Sequence, residues 1–559
     1  MIRLLIIASV ILFSLSLSAQ EEKHVVFLKN KDNNPFSLSN PIDFLTQRSL
    51  DRRAKSNIAL DMKDLPVTPS YIMQIAATGA EVVYSLKWFN AVVVKTNNPA
   101  ALTSIAALPF VDYIDQVLSN RPVLEPGGAG TKQAEEIPPY TLVTPISFAV
   151  NKSTGALNYG QAYNQAHMIA VDGLHNLGFT GDGMMIAILD AGFYHTDVIH
   201  AFDSLWLNDR ILGTRDFNIP GNNVFGNDMH THGTSVLSTI GANLPGQMVG
   251  TAPHASFWLI RTEVGDYEAL IEEYNWAGGA EFADSLGADV INSSLGYTTF
   301  DNPAYNHTYA DMDGNTTPIT RAADIATSRG LLIVNSAGND GGSSWQHIGA
   351  PADGDSVFSI GAVNSSGFYA SFSSTGPTFD GRTKPDVTAQ GQGTTVISGG
   401  GNVSQSSGTS FSSPIMAGAM ACLWQSAPDL SAQQLRDAVR NTASKASVPD
   451  QLYGYGIPNM VNARLLLTTP SISSEIKQSY ALFPVPFSDA PWLKSDQKKT
   501  EMATIEILSV TGQLIASYTI NISNSSTSKL NDFDTMPSGL YFVRISSNSG
   551  QQVLRAVKL

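Results

Sequence analysis

The stretch from residue 159 to residue 468 alternates short strand-like patterns with helical patterns, and this alternation constrains the fold more than any other feature. The strand-like segments are short, apolar and rich in β-branched residues, and they lie at 185–189, 257–260, 289–292, 331–334 and 357–360. Between two of them, residues 267–286 carry apolar side chains along one helical face. Strands that alternate with helices predict a parallel sheet with helices on both faces. We therefore predict an α/β fold here.

Three short motifs in this region supply an aspartate, a histidine and a serine. They are Ile-Leu-Asp-Ala-Gly at 188–192, His-Gly-Thr at 232–234 and Gly-Thr-Ser-Phe-Ser-Ser-Pro at 408–414. A serine hydroxyl is a poor nucleophile at neutral pH, so it needs an imidazole as general base and a carboxylate that orients the imidazole. Asp190 ends a predicted strand, and the carboxyl ends of parallel strands face the crevice where ligands bind. We therefore predict Ser410 as nucleophile, His232 as base and Asp190 as its partner.

The order of these residues along the chain separates the known classes of serine hydrolase. Chymotrypsin-like enzymes have the order His, Asp, Ser and the α/β-hydrolases have Ser, Asp, His, whereas this chain has Asp, His, Ser. That order is the subtilisin order, and Ser410 does not stand in a Gly-x-Ser-x-Gly elbow. The chain therefore resembles the subtilisin-like serine proteases, or subtilases. The family pattern His-Gly-Thr favours His232 over His230 as the base, and we interpret His230 as a solvated neighbour.

The resemblance also implies a fourth catalytic residue. Residues 332–340 match the strand and loop that carry the oxyanion asparagine of subtilases, so Asn339 is expected to donate its amide to the developing oxyanion.

Two positions depart from the family pattern. Ala191 stands where subtilases usually carry Thr or Ser after the aspartate, and Ser235 replaces a second histidine that is common after the His-Gly-Thr motif.

The substrate side of the site follows from the same resemblance. Residues 290–296 resemble the segment that lines one wall of the primary pocket, which assigns Ser294, Leu295 and Gly296 to substrate binding. Ala337 and Gly338 would form the opposite wall. Extended peptides bind at such edges by adding a strand, so main-chain contacts dominate their affinity. Polypeptides are therefore the expected substrates.

Composition excludes some other functions. The net charge of −15 argues against broad nucleic-acid binding, which needs a basic face. Cys422 is the only cysteine, so internal disulfides are excluded, and its apolar neighbours predict a core residue. Residues 311–315, Asp-Met-Asp-Gly-Asn, hint at calcium but lack the EF-hand spacing, and a solvated turn is the better interpretation. We assign no metal and no cofactor.

The first 19 residues have the pattern of a secretory signal peptide. Arg3 gives a positive start, residues 4–15 form an apolar run, and small residues up to Ala19 offer a cleavage site. The apolar run is too short for a membrane-spanning helix, which needs about 20 residues. We therefore predict a signal peptide over 1–19 and a protein that is secreted or held at the cell surface.

Residues 20–120 alternate strand-like and helix-like patterns. Strands are predicted at 24–28, 82–94 and 110–114, and helices at 69–77 and 99–108. This layout is similar to the small α/β propeptide that precedes many subtilases, which implies an intramolecular inhibitor. A separate binding module is the alternative, because layout alone does not fix function. Residues 121–158 are rich in Pro and Gly and predict an exposed linker in which maturation cleavage occurs.

Residues 476–559 predict a small all-β module. Alternating strand patterns lie at 504–510, 514–520, 539–545 and 552–559, separated by turn signals. The module resembles the C-terminal sorting domain of the type IX secretion system, which implies the secretion machinery as a partner. A carbohydrate- or partner-binding sandwich is the alternative, since one sandwich fold hosts many functions.

Taken together, these patterns predict an exported serine endopeptidase that is made as a zymogen. Its subtilisin-like α/β domain would follow a small α/β propeptide and precede an all-β sandwich. The alternative is a catalytically silent surface or adhesion protein on the same scaffold. The complete set of Asp190, His232, Ser410 and Asn339 favours the enzyme, because a silent scaffold has no need of all four residues.

Overall fold

The computed structural model describes residues 22–118, 157–265, 267–468, 480–495, 500–510, 512–523, 526–547 and 550–559. The predicted signal peptide and nearly all of the predicted linker lie outside these residues. The chain divides into two compact units, Met1–Ala463 and Arg464–Leu559, which are described separately. None of the helices in the described ranges combines the length and the apolar character that crossing a membrane requires.

The first unit opens with an N-terminal domain, residues 22–118, that contains one antiparallel sheet and three helices. Its elements in chain order are β1 (Lys23–Leu28), α1 (Gln47–Lys55), α2 (Pro69–Ala76), β2 (Glu81–Leu86), β3 (Ala91–Lys95), α3 (Pro99–Ala106) and β4 (Val111–Leu118). The sheet order is β2-β3-β1-β4. The predicted strands and two predicted helices of this region are all found, whereas α1 was not predicted.

The central domain, residues 157–468, follows and alternates strands with helices; its residues up to Ala463 belong to the same unit. Its elements are α4 (Tyr163–His167), α5 (Val171–Asn176), β5 (Met185–Asp190), α6 (Asp203–Leu207), β6 (Ile211–Asp216), α7 (His232–Gly241), β7 (Asn243–Leu244), β8 (Met248–Val249), β9 (Ser256–Arg261), α8 (Ile271–Leu286), β10 (Val290–Ser293), α9 (Pro318–Ser328), β11 (Leu332–Ser336), β12 (Phe358–Val363), β13 (Val387–Gln390), β14 (Thr394–Ile397), β15 (Val403–Ser406), α10 (Thr409–Ser426), α11 (Ala432–Asn441) and α12 (Met460–Thr468).

Seven strands of the central domain form the predicted parallel sheet, in the order β13-β12-β11-β10-β5-β9-β6. Helices α8 and α9 pack together on one face, where Leu189, Ile291 and Ile333 meet them in one buried cluster. Helices α7 and α10 pack against each other, and they also contact the strands through side chains outside that cluster. Because all seven strands are parallel, their carboxyl ends meet at one edge of the sheet.

The N-terminal domain packs its sheet between its own helices and the central domain. Side chains alternate along a strand, so Val26 and Val92 face α2 and α3 in one buried cluster. Their neighbours Val25 and Val93 belong to the cluster that contains α8 and α9. This second contact covers the outer side of α8, which explains why thirteen of its sixteen residues are buried, several carboxylates among them.

Charged groups cross this interface in a buried cluster centred on Asp284 of α8, which is fully buried. Its carboxylate accepts hydrogen bonds from Arg52 at 2.6 Å, from Arg53 at 3.0 and 3.2 Å, and from Lys87 at 3.2 Å, all on the N-terminal domain. One turn earlier on α8, Glu281 accepts the backbone N–H groups of Lys87 and Trp88, at 2.7 and 2.8 Å. The two domains are therefore joined by directional polar contacts as well as by apolar packing.

The C-terminal domain, residues 480–559, forms the predicted β-sandwich. Its strands are β16 (Tyr480–Phe483), β17 (Trp492–Ser495), β18 (Glu501–Leu508), β19 (Leu514–Ile522), β20 (Thr527–Lys529), β21 (Gly539–Ser547) and β22 (Gly550–Lys558). One antiparallel sheet has the order β19-β18-β21-β22 and the other β16-β17-β20. Both sheets contribute to one apolar core, for example Leu493 from the smaller sheet and Ile505 and Val543 from the larger. The smaller sheet was not predicted.

Candidate active site

Asp190 and His232 are joined by hydrogen bonds at the carboxyl edge of the large sheet. Asp190 is the last residue of β5 and is fully buried. Its two carboxylate oxygens lie 2.9 and 3.0 Å from Nδ1 of His232, and one of them also accepts the N–H of Ala191 at 2.8 Å. The backbone N–H at Ala191 therefore holds the carboxylate even though this position lacks the hydroxyl that is usual in the family.

The His-Gly-Thr motif has a local structural reason. His232 is the first residue of α7, and the next residue, Gly233, packs so closely on the loop after β5 that a Cβ there would lie 2.3 Å from the carbonyl oxygen of Gly192. Thr234 then donates its hydroxyl to the carbonyl of Tyr194 at 2.8 Å. Both contacts fix the start of α7 against the Asp190 loop and so orient the imidazole.

His230 has a defined role instead of being a solvated neighbour. It is half-buried, and its Nδ1 accepts the backbone N–H of His232 at 3.1 Å. The first N–H groups of a helix have no partner within the helix, so this contact satisfies one of them at the start of α7. Ser235, at the position of the second family histidine, donates its hydroxyl to the carbonyl of Ile397 at 2.9 Å.

Ser410 lies in the first turn of α10, and Pro414 explains how its surroundings are built. Pro414 is the sixth residue of the helix and so lies beyond its first turn. A proline cannot donate the N–H that would normally bind the carbonyl four residues earlier. That carbonyl belongs to Ser410, and it accepts the hydroxyl of Ser294 at 2.9 Å instead. The Ser410 hydroxyl donates to the carbonyl of Ser294 at 3.3 Å, so two hydrogen bonds join these residues.

Asn339 is held with its side-chain oxygen turned toward α10. The oxygen accepts the backbone N–H and the hydroxyl of Thr409, at 2.9 and 3.0 Å. This arrangement fixes which end of the amide is the oxygen, because only the oxygen accepts two donors. The side-chain NH₂ lies near Gly408, where an added Cβ would be 3.7 Å away. The donor end of Asn339 is thus next to the turn that carries Ser410.

The predicted substrate-binding residues line one cleft together with Ser410 and His232. The cleft has a volume of about 850 Å³, and its walls include all five: Ser294, Leu295, Gly296, Ala337 and Gly338. Asn339 lines it as well. Ser294 follows β10 and Gly338 follows β11, which are adjacent strands, so the cleft opens over the carboxyl edge of the sheet. The sequence-predicted residues are therefore brought together in space.

Three acidic residues of the cleft, Glu263, Glu268 and Asp340, were not predicted. Glu263 comes two residues after the end of β9, and β9 lies next to β5, which ends in Asp190. Glu263 could have been predicted from the sequence in the same way as Asp190, because both carboxylates stand at or just after the end of a predicted strand. Burial, with Glu268 and Glu263 adding to it, raises the pKa of the neighbouring Glu272 well above its usual range.

Two groups of side chains are relevant to metal binding. In the part of the chain that the structure describes, Asp190, His232 and Glu263 offer ligand atoms within 4.8 Å of one another. The first two already bind each other. In the 311–315 segment, Asp311 accepts the N–H and hydroxyl of Thr308, both at 2.7 Å, so this carboxylate closes a turn. The assignment of no metal and no cofactor stays a prediction.

Three parts of the chain match models of known families. Residues 181–456 match the subtilase family, peptidase S8. Residues 23–133 match the peptidase S8 propeptide domain of Bacteroidota, and residues 481–558 match the secretion system C-terminal sorting domain. The three matches fall on the central, N-terminal and C-terminal domains.

Individual relatives support the same class. Subtilisin E of Bacillus subtilis (strain 168) is 32% identical over 298 residues, which cover 52% of this chain and 68% of that protein. Subtilisin DY of Bacillus licheniformis is 32% identical over 302 residues, 52% of this chain and 95% of that protein. Serine protease AprX of Bacillus subtilis (strain 168) is 30% identical over 315 residues, 51% of this chain and 66% of that protein.

Fold, site and matches together define a serine endopeptidase with a subtilisin-like parallel sheet. The chain belongs to the subtilase family. It is a zymogen whose propeptide domain is the N-terminal domain, and its sorting domain directs it to the cell surface or the medium. The central domain is called the catalytic domain from here on.

Proposed function

We propose that this endopeptidase cleaves polypeptides through Ser410, with His232 as general base and Asp190 as the residue that orients it. The observation that carries the proposal is the pair of hydrogen bonds between Asp190 and Nδ1 of His232, in the cleft that Ser410 also lines. Because Nδ1–H donates to Asp190, Nε2 is the nitrogen left to accept a proton. The buried carboxylate stabilises the imidazolium that then forms.

The reaction divides into two steps at Ser410. In the first, Nε2 of His232 takes the hydroxyl proton as Oγ attacks the substrate carbonyl carbon, and the same proton then passes to the leaving amine. The peptide C–N bond breaks and an ester to Ser410 remains. In the second, His232 takes a proton from water, the hydroxide attacks the ester, and the acid product leaves as the proton returns to Oγ.

The oxyanion that forms in each step would be stabilised by Asn339 and the start of α10. Thr409 holds the oxygen of Asn339, so the NH₂ group is the end available to the substrate. The backbone N–H of Ser410 lies in the first turn of α10, where N–H groups have no intrahelical acceptor. A donor that is fixed before the reaction stabilises the developing charge without having to reorganise.

The propeptide domain acts as an intramolecular inhibitor and the C-terminal domain engages the secretion machinery. The first role is supported by the buried contacts of Arg52, Arg53 and Lys87 with Asp284 of the catalytic domain. The second is supported by the sorting-domain match and by the domain's own apolar core. None of the proposed catalytic residues lies in residues 480–559.

The proposal is tested by labelling the matured protein with a fluorophosphonate and locating the adduct by peptide mass spectrometry. We expect one adduct, on Ser410, and none in a Ser410→Ala variant whose circular dichroism spectrum is unchanged. The variant should also fail to hydrolyse denatured casein. A labelled residue other than Ser410, or casein hydrolysis by the variant near the wild-type rate, would refute the assignment. Absence of any adduct would favour a silent scaffold.

A further inference from the structure

One wall of the substrate cleft is formed by two loops that contact each other. Thr298 and Gly349 both line the cleft. They lie so close together that a Cβ added at Gly349 would be 3.0 Å from the γ-methyl of Thr298. Their neighbours are joined as well, because the N–H of Tyr297 donates to the carbonyl of Ala350 at 2.8 Å and the N–H of Ala350 donates back at 3.2 Å. The position of Thr298 therefore sets where the cleft closes on this side.

Thr298 belongs to the wall loop, residues 297–308, which is braced by contacts within itself. The N–H of His307 donates to the carbonyl of Thr298 at 2.9 Å, and the N–H of Phe300 donates to the side-chain oxygen of Asn306 at 2.7 Å. The rings of Phe300 and His307 pack edge to face, with their centroids 5.3 Å apart. Because these contacts join the two ends of the loop, a displacement of His307 also displaces Thr298.

The side chain of His307 ties the wall loop to helix α8. Its Nε2 lies 2.5 Å from a carboxylate oxygen of Glu273, the third residue of α8. The Glu273 side chain is fully buried, and only 11% of the His307 side chain is exposed. The other oxygen of Glu273 accepts the N–H of Ile319, in the first turn of α9, at 3.0 Å. One carboxylate thus holds the wall loop against the starts of two helices.

The contact between His307 and Glu273 has the character of an ion pair. Burial lowers the pKa of His307, but the hydrogen bond and the charge of Glu273 outweigh burial, and the net effect raises that pKa above its usual value. The first turn of α8 also favours a carboxylate, because the N–H groups there carry positive partial charge. A buried carboxylate that loses a donor is strongly destabilised, so Glu273 holds His307 in place.

We propose that His307, held by Glu273, positions Thr298 and thereby determines the preference for a large side chain at the residue whose carbonyl is attacked. This inference rests on the proposed function, because it takes Ser410 as the nucleophile. The methyl group of alanine is too short to reach the far wall of a pocket, whereas a phenylalanine ring gains apolar contact there. His307 is not among the described residues that line the cleft, so it is a positioning residue.

The test uses two internally quenched peptides that differ only at the residue whose carbonyl is attacked, which is phenylalanine or alanine. The wild-type enzyme should have the higher kcat/KM for phenylalanine, and His307→Leu should lower the ratio of phenylalanine to alanine about tenfold. The loss should appear as a higher KM for the phenylalanine peptide, because the wall binds substrate and transition state alike. The rate at which a small fluorophosphonate labels Ser410 should stay within about twofold of wild type.

Three further variants locate the effect. His307→Gln keeps an N–H donor near the position of Nε2 and should keep the ratio within about twofold of wild type. Thr298→Ala should lower the ratio, and adding His307→Leu to it should lower the ratio little further, because His307 acts through Thr298. His167→Leu is the matched control, since His167 binds the Asp172 carboxylate at 2.7 Å in the same domain and neither is among the described residues that line the cleft. It should leave the ratio unchanged.

Each result decides for or against the inference. A wild-type ratio at or below one would overturn it, whether or not any variant folds. An unchanged ratio in His307→Leu or in Thr298→Ala, an equal loss in His307→Gln or His167→Leu, or independent losses in the double variant would also overturn it. A fall in kcat and in labelling of Ser410 for His307→Leu would contradict an effect confined to the wall. Failure of the proposed function has a different signature, namely no labelling of Ser410 and no hydrolysis of either peptide by the wild-type enzyme.

Discussion

Replacing Asp284 by asparagine should release the propeptide domain from its own enzyme. Asp284 is a fully buried carboxylate of the catalytic domain that accepts hydrogen bonds from Arg52, Arg53 and Lys87 of the propeptide. Asparagine has nearly the same shape but no charge. The substitution leaves these three propeptide cations without that counter-charge in the docked state, whereas in the matured enzyme position 284 is no longer covered by the propeptide.

The size of the effect follows from this burial. Removing one partner of a buried ion pair costs about 3–5 kcal/mol, which corresponds to roughly 100- to 4,000-fold in a dissociation constant. An exposed pair contributes about 0–1 kcal/mol, or at most about fivefold. The pair between Arg48 and Asp289 at the same interface is of this second kind, since 41% of the Arg48 side chain is exposed. The two sites therefore predict very different losses.

The assay is inhibition of the matured enzyme by separately produced residues 20–120, with a fluorogenic peptide as substrate. Asp284→Asn in the enzyme should raise the inhibition constant about 100-fold or more, while kcat/KM for the peptide stays within about twofold of wild type. Arg48→Gln in the propeptide is the control and should raise the constant at most about fivefold. A rise below about tenfold for Asp284→Asn would show that the buried cluster does not hold the propeptide.

Three further outcomes are expected. Burial raises the pKa of Glu281 to about 7 in the docked state. Between the ordinary carboxyl pKa and pH 7, docking of the propeptide is therefore accompanied by uptake of a proton at Glu281. Propeptide affinity should then rise as the pH falls from 8 to 5, and a Glu281→Gln enzyme that keeps this slope would contradict the assignment. Asn339→Leu should lower kcat about 10²- to 10³-fold with little change in KM, a range measured for the equivalent donor in subtilisin. A loss below about threefold in stopped-flow kinetics would show that Asn339 does not stabilise the oxyanion. A chain ending at residue 475 should keep its peptidase activity but accumulate in the periplasm of the native host, and cell fractionation that finds it secreted as well as the full chain would refute the sorting role.

The sequence alone could predict the site because local patterns encode its parts. Asp190 ends a strand, His232 begins a helix and Ser410 lies in the first turn of an apolar helix. The positions of these elements within a parallel sheet bring their ends to one edge. By the same rule Glu263 could have been predicted, since it follows a strand next to β5. The order of strands and helices therefore indicates the positions of all four residues. A family motif, by contrast, exists only for Asp190, His232 and Ser410.

The domain interface could not be predicted in this way. Helix α1 contains Arg52 and Arg53 and has the composition of a solvated helix, yet both arginines are buried. Helix α8 carries Glu281 and Asp284 on the side opposite its contact with the sheet, which a single domain would expose to water. The buried charges of both helices are explained only by the contact between the propeptide domain and the catalytic domain. This contact joins segments that are far apart in the sequence, so it leaves no periodic pattern in either of them.

Helix α8 has a consequence for how such an enzyme can evolve. Its first turn carries Glu272, which accepts the N–H groups of Val264 and Ala269 beside the cleft, and its last turn carries Asp284, which receives the propeptide. The two lie on one rigid rod of sixteen residues, about 24 Å long. A change that shifts this helix to suit a new substrate also shifts the surface on which the propeptide docks. Across lineages, changes in cleavage preference should therefore be accompanied by changes in the propeptide, because both depend on the position of this helix.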